Sequence, residues 1–325
     1  MRVYFDADAD LAVIRGRRVA IIGYGNQGRA QALNLADSGI DVVVGLRNGS
    51  PSLARAASEG VATADIEASV ASADLVMLLA PDETLAQIYR QVEPHLRRGA
   101  TLGFSHGLAI RFALVEPRAD LDVILVAPKG PGTALRSLYS EGKGMAALYA
   151  VAQDASSSAE ALALAYGRAI GCGRVGLLPT TFAEECEADL FNEAAVVWGA
   201  VPEILVAGFD TLVEAGISEE VAYMECVGEL KLLAELIEER GIAAMREAIS
   251  NTAELGAVTG GPRIVDDRVR SEMRAILASI RDGSFAATLA DEEASGYPRL
   301  QAARAAAAGQ RVERARVYLR KLLGD

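Results

Sequence analysis

In the stretch Glu184–Phe209, EECEADLFNEAAVVWGAVPEILVAGF, Asp189 and Glu193 stand four residues apart. On a helix that spacing puts both carboxylates on one face. Down the same face come Val196, Val197 and Ala200, an apolar stripe of the kind that faces a core. A second segment, VAYMECVGELKLLAELIEE, repeats the pattern. Glu225 and Glu229 are preceded by Val221 and Ala222 and followed by Leu232, Leu233 and Leu236. Carboxylates drawn into a dry core must be protonated or be neutralised by a cation. Two ordinary solvated acid pairs are the plain alternative. All-oxygen ligands suit Mg2+ or Mn2+ better than zinc, and four carboxylates exceed the usual need of one Mg2+, which points to two ions.

The elements ahead of these acids read as a nucleotide-binding domain. Arg17–Ile22 is an apolar strand that runs straight into GYGNQG and then a helical pattern ending at Gly39. Gly23, Gly25 and Gly28 match the dinucleotide fingerprint: one glycine for the tight turn, one for backbone approach to a pyrophosphate, one for helix packing on the strand. The helix N-terminus offers free N–H groups to the phosphates. After the second strand, Asp41–Gly45, a chain that binds NAD usually carries an acidic residue for the ribose hydroxyl. Here Arg47, Ser50 and Ser52 occupy the loop, a cation and two hydroxyls that suit a 2′-phosphate, so NADPH is expected. Further strands are read at Asp74–Ala80, Ala100–Phe104, Asp122–Ala127, Ala146–Ala152 and Arg174–Leu178. Their alternation with helices predicts a parallel sheet covered on both faces. FSHG places His106, and APKGPG places Lys129, at the C-terminal ends of two of these strands, where ligands of such sheets bind. A lone histidine of this kind is more often structural.

From about Thr180 the pattern turns helical, with glycine breaks at 216, 241 and 256, so two domains are expected, 1–180 and 181–325. Pro202 is read as opening a helix. The 325 residues are 51% hydrophobic and 23% charged, ordinary for a large globular core. Lys plus Arg number 32 against 44 Asp plus Glu, for a net charge of −12, which argues against nucleic acid as a partner. Cys172, Cys186 and Cys226 fit no zinc spacing and read as reduced thiols of a cytoplasmic protein. The N-terminus lacks a signal-peptide pattern. The best candidate for a membrane span, Ala194–Phe209, is interrupted by Pro202 and Glu203, so no span is expected.

With these residues laid out, the chain resembles the short-form ketol-acid reductoisomerases over nearly its whole length. The resemblance rests on VYFDADADLAVIRGRRVAIIGYGNQG, VVVGLRNGSPS, FSHG, APKGPG, TTFAEECEADLFNE, AGFDTLVEAG, YMECVGELKLL and AISNTAELG. It implies a Rossmann-type N-terminal domain followed by an all-α, knotted C-terminal domain. It implies two Mg2+ held by Asp189, Glu193, Glu225 and Glu229, with Asp189 bridging, and NADPH on Gly23, Tyr24, Gly25, Asn26, Gln27, Gly28, Arg47, Ser50, Ser52 and Asp82. His106 and Lys129 fall near the metals, and Ser250 falls on the substrate serine. Two intertwined chains would share each site, Glu225, Glu229 and Ser250 coming from the partner, and a higher oligomer of dimers is compatible. The chain departs from the family at Arg29 and Gln31, where histidines are common, at Asn192 and Ala194, and at Trp198 and Pro202. Arg29 is expected to add a phosphate contact.

The implied reaction acts on a 2-acetolactate-type acid, on the route to valine and isoleucine. An alkyl group migrates to the neighbouring ketone carbon, and NADPH then reduces the new 2-keto acid. Glu229 or a hydroxide on the metals would take the hydroxyl proton, Lys129 would order water, and Ser250 would hold the substrate. Three alternatives stay open: a paralogue acting on another keto acid, a metal-independent β-hydroxyacid dehydrogenase or imine reductase, and a non-catalytic dinucleotide-binding protein.

Overall fold

A computed structural model describes residues 1–324. The chain divides into two compact units, Met1–Ala188 and Asp189–Asp325.

The first unit is built on one eight-stranded sheet. Its strands are β1 (Arg18–Ile22), β2 (Asp41–Gly45), β3 (Thr63–Ala64), β4 (Leu75–Leu78), β5 (Thr101–Phe104), β6 (Asp122–Pro128), β7 (Ala147–Gln153) and β8 (Leu177–Pro179). Their order is β3-β2-β1-β4-β5-β6-β7-β8. The first six are mutually parallel; β7 pairs antiparallel with β6, and β8 pairs parallel with β7. The parallel sheet expected from the sequence is borne out, with β7 and β8 running opposite to the first six strands after helix Gly132–Ser140. The last strand also starts later than read, because Cys172–Arg174 forms a 3-10 turn. β3, Thr63–Ala64, is too short to carry a strand period.

The side-chain period of two along a strand divides the core. Val19 and Ile21, with Val42, Val44, Leu75 and Met77, pack in one cluster with the helices Asn26–Asp37 and Ala159–Ala169. Ala20 and Ile22, with Val43, Val76 and Leu78, face the other cluster, which takes in Leu85, Tyr89 and Val92 of helix Leu85–Val92. Both faces of the sheet are covered, which is why its strands read as continuous apolar runs.

The second unit is helical. Ala200–Glu214, Glu219–Tyr223 and Arg311–Leu323 meet around a small core of Phe209, Ala222, Val312 and Ala315. Pro202 lies in the first turn of its helix, where its missing N–H breaks no ladder bond. Leu230–Glu247 kinks at Gly241 (φ 74°), whereas Gly256 lies inside the helix Asn251–Ile264. Neither of these helices has a buried residue within the chain. By length and composition alone, the helical run Phe182–Glu214 could cross a membrane. The helix that holds Pro202 starts at Ala200, after the π-helical turn Asn192–Val196, as expected of a proline that opens a helix.

Candidate active site and family

Gly23 adopts φ 103°, and a β-carbon there would press on the backbone of Leu79 and Ala80. Only glycine sustains that turn beside β4. A β-carbon on Gly28 would run into the Gly23 carbonyl, so the first turn of helix Asn26–Asp37 rests directly on the glycine loop. Gly25 caps that helix and has open space where its β-carbon would stand. The three positions thus meet the steric demands of a dinucleotide turn, and the helix end presents backbone N–H groups to an anion. Gly132, the first residue of the helix after APKGP, packs so closely on the Asn26 carbonyl that no side chain fits between them.

Beyond β2, Ser50 N–H donates to the Arg47 carbonyl (3.1 Å) and Ser50 Oγ accepts from Ser52 N–H (3.3 Å). The loop is a tight turn with Arg47 exposed and Ser52 opening the helix Ser52–Ser58. Arg29, expected at a phosphate, is engaged elsewhere: its Nε and Nη2 both donate to Glu59, whose Oε2 also accepts the Tyr24 hydroxyl at 2.8 Å. Burial, then Glu59, pushes the Tyr24 phenol well above its usual range, so its proton stays on. The Arg29 guanidinium holds the Glu59 carboxyl below its usual range.

His106 and Lys129 follow β5 and β6. His106 Nδ1 stands 3.3 Å from Asp82 Oδ2. The Gly107 N–H donates to Glu185 Oε2 at 2.8 Å, and Lys129 Nζ lies 3.3 Å from Glu185 Oε1. Gly107 has no room for a side chain beside the Phe182 carbonyl, which lets the loop approach helix Phe182–Phe191 this closely. One turn along the same helix comes Asp189. His106, Glu185 and Asp189 each offer a ligand atom, and these atoms lie within 4.8 Å of one another. Imidazole and carboxylates are a donor set that fits a divalent cation. Glu185 is buried and lies outside the four acids expected at the metals. Its signal was present: Glu185, Asp189 and Glu193 continue one four-residue series. The neighbouring Cys186 thiol, pushed up to about 12 by burial, is no nucleophile.

Of the four predicted acids, Asp189 alone belongs to a cluster of three or more possible metal ligands among the described residues. Asp189 is half-buried, but Glu193, Glu225 and Glu229 are exposed. Val196, Val197, Leu232 and Leu233 are exposed too, so the inward-facing stripes read from the sequence are corrected. The periodicity described an apolar face correctly and could not say whether its cover belongs to the same chain. Both segments also leave the α-helical ladder: Asn192–Val196 and Met224–Gly228 are π-helical turns, carrying Glu193 and Glu225, with Glu229 capping the second. Such turns recur at functional sites because they re-aim side chains. Glu225 and Glu229 line a cavity of about 330 Å3 with Leu205, Cys226, Leu233 and Met245. Ser250 caps the helix Asn251–Ile264, its Oγ accepting the Ala253 N–H at 3.2 Å.

Two family models cover almost the whole chain. Residues 13–176 match the acetohydroxy acid isomeroreductase NADPH-binding domain, and residues 182–324 match the ketol-acid reductoisomerase C-terminal domain. The chain belongs to the ketol-acid reductoisomerase family. An NADH-preferring ketol-acid reductoisomerase from an uncultured archean is 40% identical, with a TM-score of 0.96 over 100% of both chains. A putative oxidoreductase from Jannaschia sp. CCS1 (19% identical, TM-score 0.61, 82% of this chain and 97% of that one) shares the fold. So does a semialdehyde dehydrogenase NAD-binding protein from Cupriavidus necator (19%, 0.63, 82% and 99%). The reductoisomerase is thus an enzyme of branched-chain amino acid synthesis that uses a pyridine nucleotide.

Proposed function

We propose that this reductoisomerase isomerises 2-acetolactate-type acids in a Mg2+-dependent step and reduces the product with NADPH. The cluster of His106, Glu185 and Asp189 carries the metal part of this reading. Asp189, Glu193, Glu225 and Glu229 would hold two ions. Bound there, the ions would supply Lewis acidity to the substrate oxygens. Glu185 would fix the Lys129 ammonium and the Gly107 amide around the reacting acid, and Asp82 would orient the His106 ring. Glu229 would accept the hydroxyl proton in the alkyl shift, and Ser250 would bind the substrate.

The cofactor choice rests on the loop: Arg47, Ser50 and Ser52 supply one cation and two hydroxyls and no carboxylate. Gly23 to Gly28, with Tyr24, Asn26 and Gln27, would hold the pyrophosphate, and the bound nicotinamide would supply the hydride. The archaeal relative prefers NADH, so the two cofactors must be compared directly.

A second copy of the chain is the partner that the uncovered helices suit. Leu232 (62% exposed), Ile242 (60%), Leu255 (63%) and Ile264 (62%) lie on two helices that bury nothing within the chain. Apolar exposure on this scale marks an association surface. The partner's Glu225, Glu229 and Ser250 would then complete each site. The same dimer would cover the apolar run Phe182–Glu214 in a cytoplasmic protein. Pure protein incubated with 2-acetolactate, Mg2+ and NADPH should oxidise the cofactor and lose that activity with chelator. Turnover that survives chelation would favour a metal-independent dehydrogenase.

A further inference from the structure

Gln31 lies inside the first unit with no solvent exposure. Its amide makes three of the four hydrogen bonds open to it. Oε1 accepts the Tyr166 hydroxyl at 2.6 Å, and Nε2 donates to Gln27 Oε1 and to Ser105 Oγ, both at 3.0 Å. Burial raises the Tyr166 phenol far above its usual range, so that hydroxyl keeps its proton and remains a donor. The chain of bonds continues at both ends. Gln27 Nε2 donates to the Gly130 carbonyl at 2.9 Å, and Ser105 Oγ donates to the Val126 carbonyl at 2.8 Å.

These partners are not scattered. Gln27 belongs to the glycine turn, Ser105 immediately precedes His106, and Gly130 immediately follows Lys129. One buried side chain therefore joins the nucleotide turn to both loops that carry the proposed catalytic side chains. A buried network of this kind rigidifies what it connects, because every buried group would lose a partner if one loop shifted. An apolar residue in place of Gln31 would fill the volume but leave the Tyr166 hydroxyl and the Ser105 and Gln27 side chains with unmet bonds.

We propose that Gln31 is a positioning residue: through Gln27 and Ser105 it sets the nucleotide turn in register with the His106 and Lys129 loops. It touches neither cofactor nor substrate. The inference rests on the proposed site, but its test is separate. If His106, Lys129 or Asp189 were misassigned, their own variants would keep turnover; the Gln31 variants are judged first on cofactor binding without turnover.

The test compares wild type with Gln31→Leu, Ser105→Ala, the double variant and Gln31→His. Dissociation constants for NADPH are read from nicotinamide fluorescence without substrate. The isotope effect on kcat is read with C4-deuterated NADPH. We expect the NADPH Kd to rise at least fivefold in both single variants, with a double-variant effect smaller than their product, and a larger isotope effect as hydride transfer becomes slower. Gln31→His, which keeps one donor and one acceptor, should recover most of the affinity. Folded variants that melt earlier yet keep the wild-type Kd and isotope effect would overturn the proposal and leave Gln31 a purely structural residue. Should Gln31→Leu fail to fold, Ser105→Ala decides by the same two readings.

Discussion

Lys129 Nζ lies 3.3 Å from Glu185 Oε1, and the two side chains differ in exposure, 34% for the lysine and 1% for the glutamate. The glutamate depends on the lysine and on the Gly107 amide for its charge to be tolerable at that depth. Lys129→Met would leave a buried carboxylate with one partner fewer, at a cost of about 3 kcal/mol. Thermal unfolding should show the loss, and turnover should fall more than about 100-fold. Glu185→Gln keeps the shape and removes the charge. It should keep most of the stability, lose turnover to a similar extent, and weaken Mg2+ binding in titration calorimetry.

Asp189→Asn tests the metal reading. The variant should fold and bind nicotinamide cofactor normally, because the glycine turn and its loop lie elsewhere. Both isomerisation and reduction should drop by about 1,000-fold or more, as is usual when a charged group acting on the transition state is removed. Wild-type turnover in this variant would refute the assignment.

Cofactor choice is to be measured against the NADH preference of the archaeal relative. Wild-type protein should show a lower KM for NADPH than for NADH. Replacing Arg47 with a neutral residue and Ser50 and Ser52 with acidic ones should weaken NADPH by about 10- to 100-fold more than NADH, the scale of one or two charge-assisted contacts. A wild-type preference for NADH would show that the loop does not bind a 2′-phosphate.

Glu59 predicts a pH signature. Arg29 depresses its carboxyl in the folded state, whereas the unfolded chain titrates near the ordinary value of about 4.3. A depressed folded pKa contributes stability that is present above the unfolded value and is lost as pH falls through the folded one. Glu59→Gln should therefore be less stable than wild type above about pH 5. The gap, about 1 kcal/mol after allowing for partial exposure, should close as the pH drops below about 4. Urea unfolding at several pH values measures it.

Leu255→Asp, on a face the chain does not itself cover, should leave the first unit folded and binding cofactor. It should yield monomers by light scattering and abolish turnover. An active monomer would remove the shared-site proposal.

Much of this was readable from residues. The strand–glycine–helix order around Gly23, Gly25 and Gly28 is met in the structure, because steric demands on glycine are local. The strand ends bearing His106 and Lys129 followed from the apolar runs before them. What was not readable depends on contacts distant in the chain. Arg29 finds Glu59 thirty residues on, and Gln31 finds Tyr166 and Ser105. Glu185 is legible in its four-residue spacing to Asp189, though Glu184 and Glu187 stand beside it in sequence. The stripes of Val196, Val197, Leu232 and Leu233 were recognised as apolar, but periodicity carries no address for what covers them.

The two π-helical turns have an evolutionary corollary. Each closes its hydrogen-bond ring with one more residue than a regular turn requires. Deleting that residue would restore an uninterrupted ladder, so the backbone would accept the loss easily. Residues outside each turn would keep nearly the orientation they have now, because a wide turn holds its extra residue within about the same rotation, while Glu193 and Glu225, inside the turns, would be re-aimed. A shortened lineage could thus keep a well-formed helix and every acidic letter, and still have lost its chemistry.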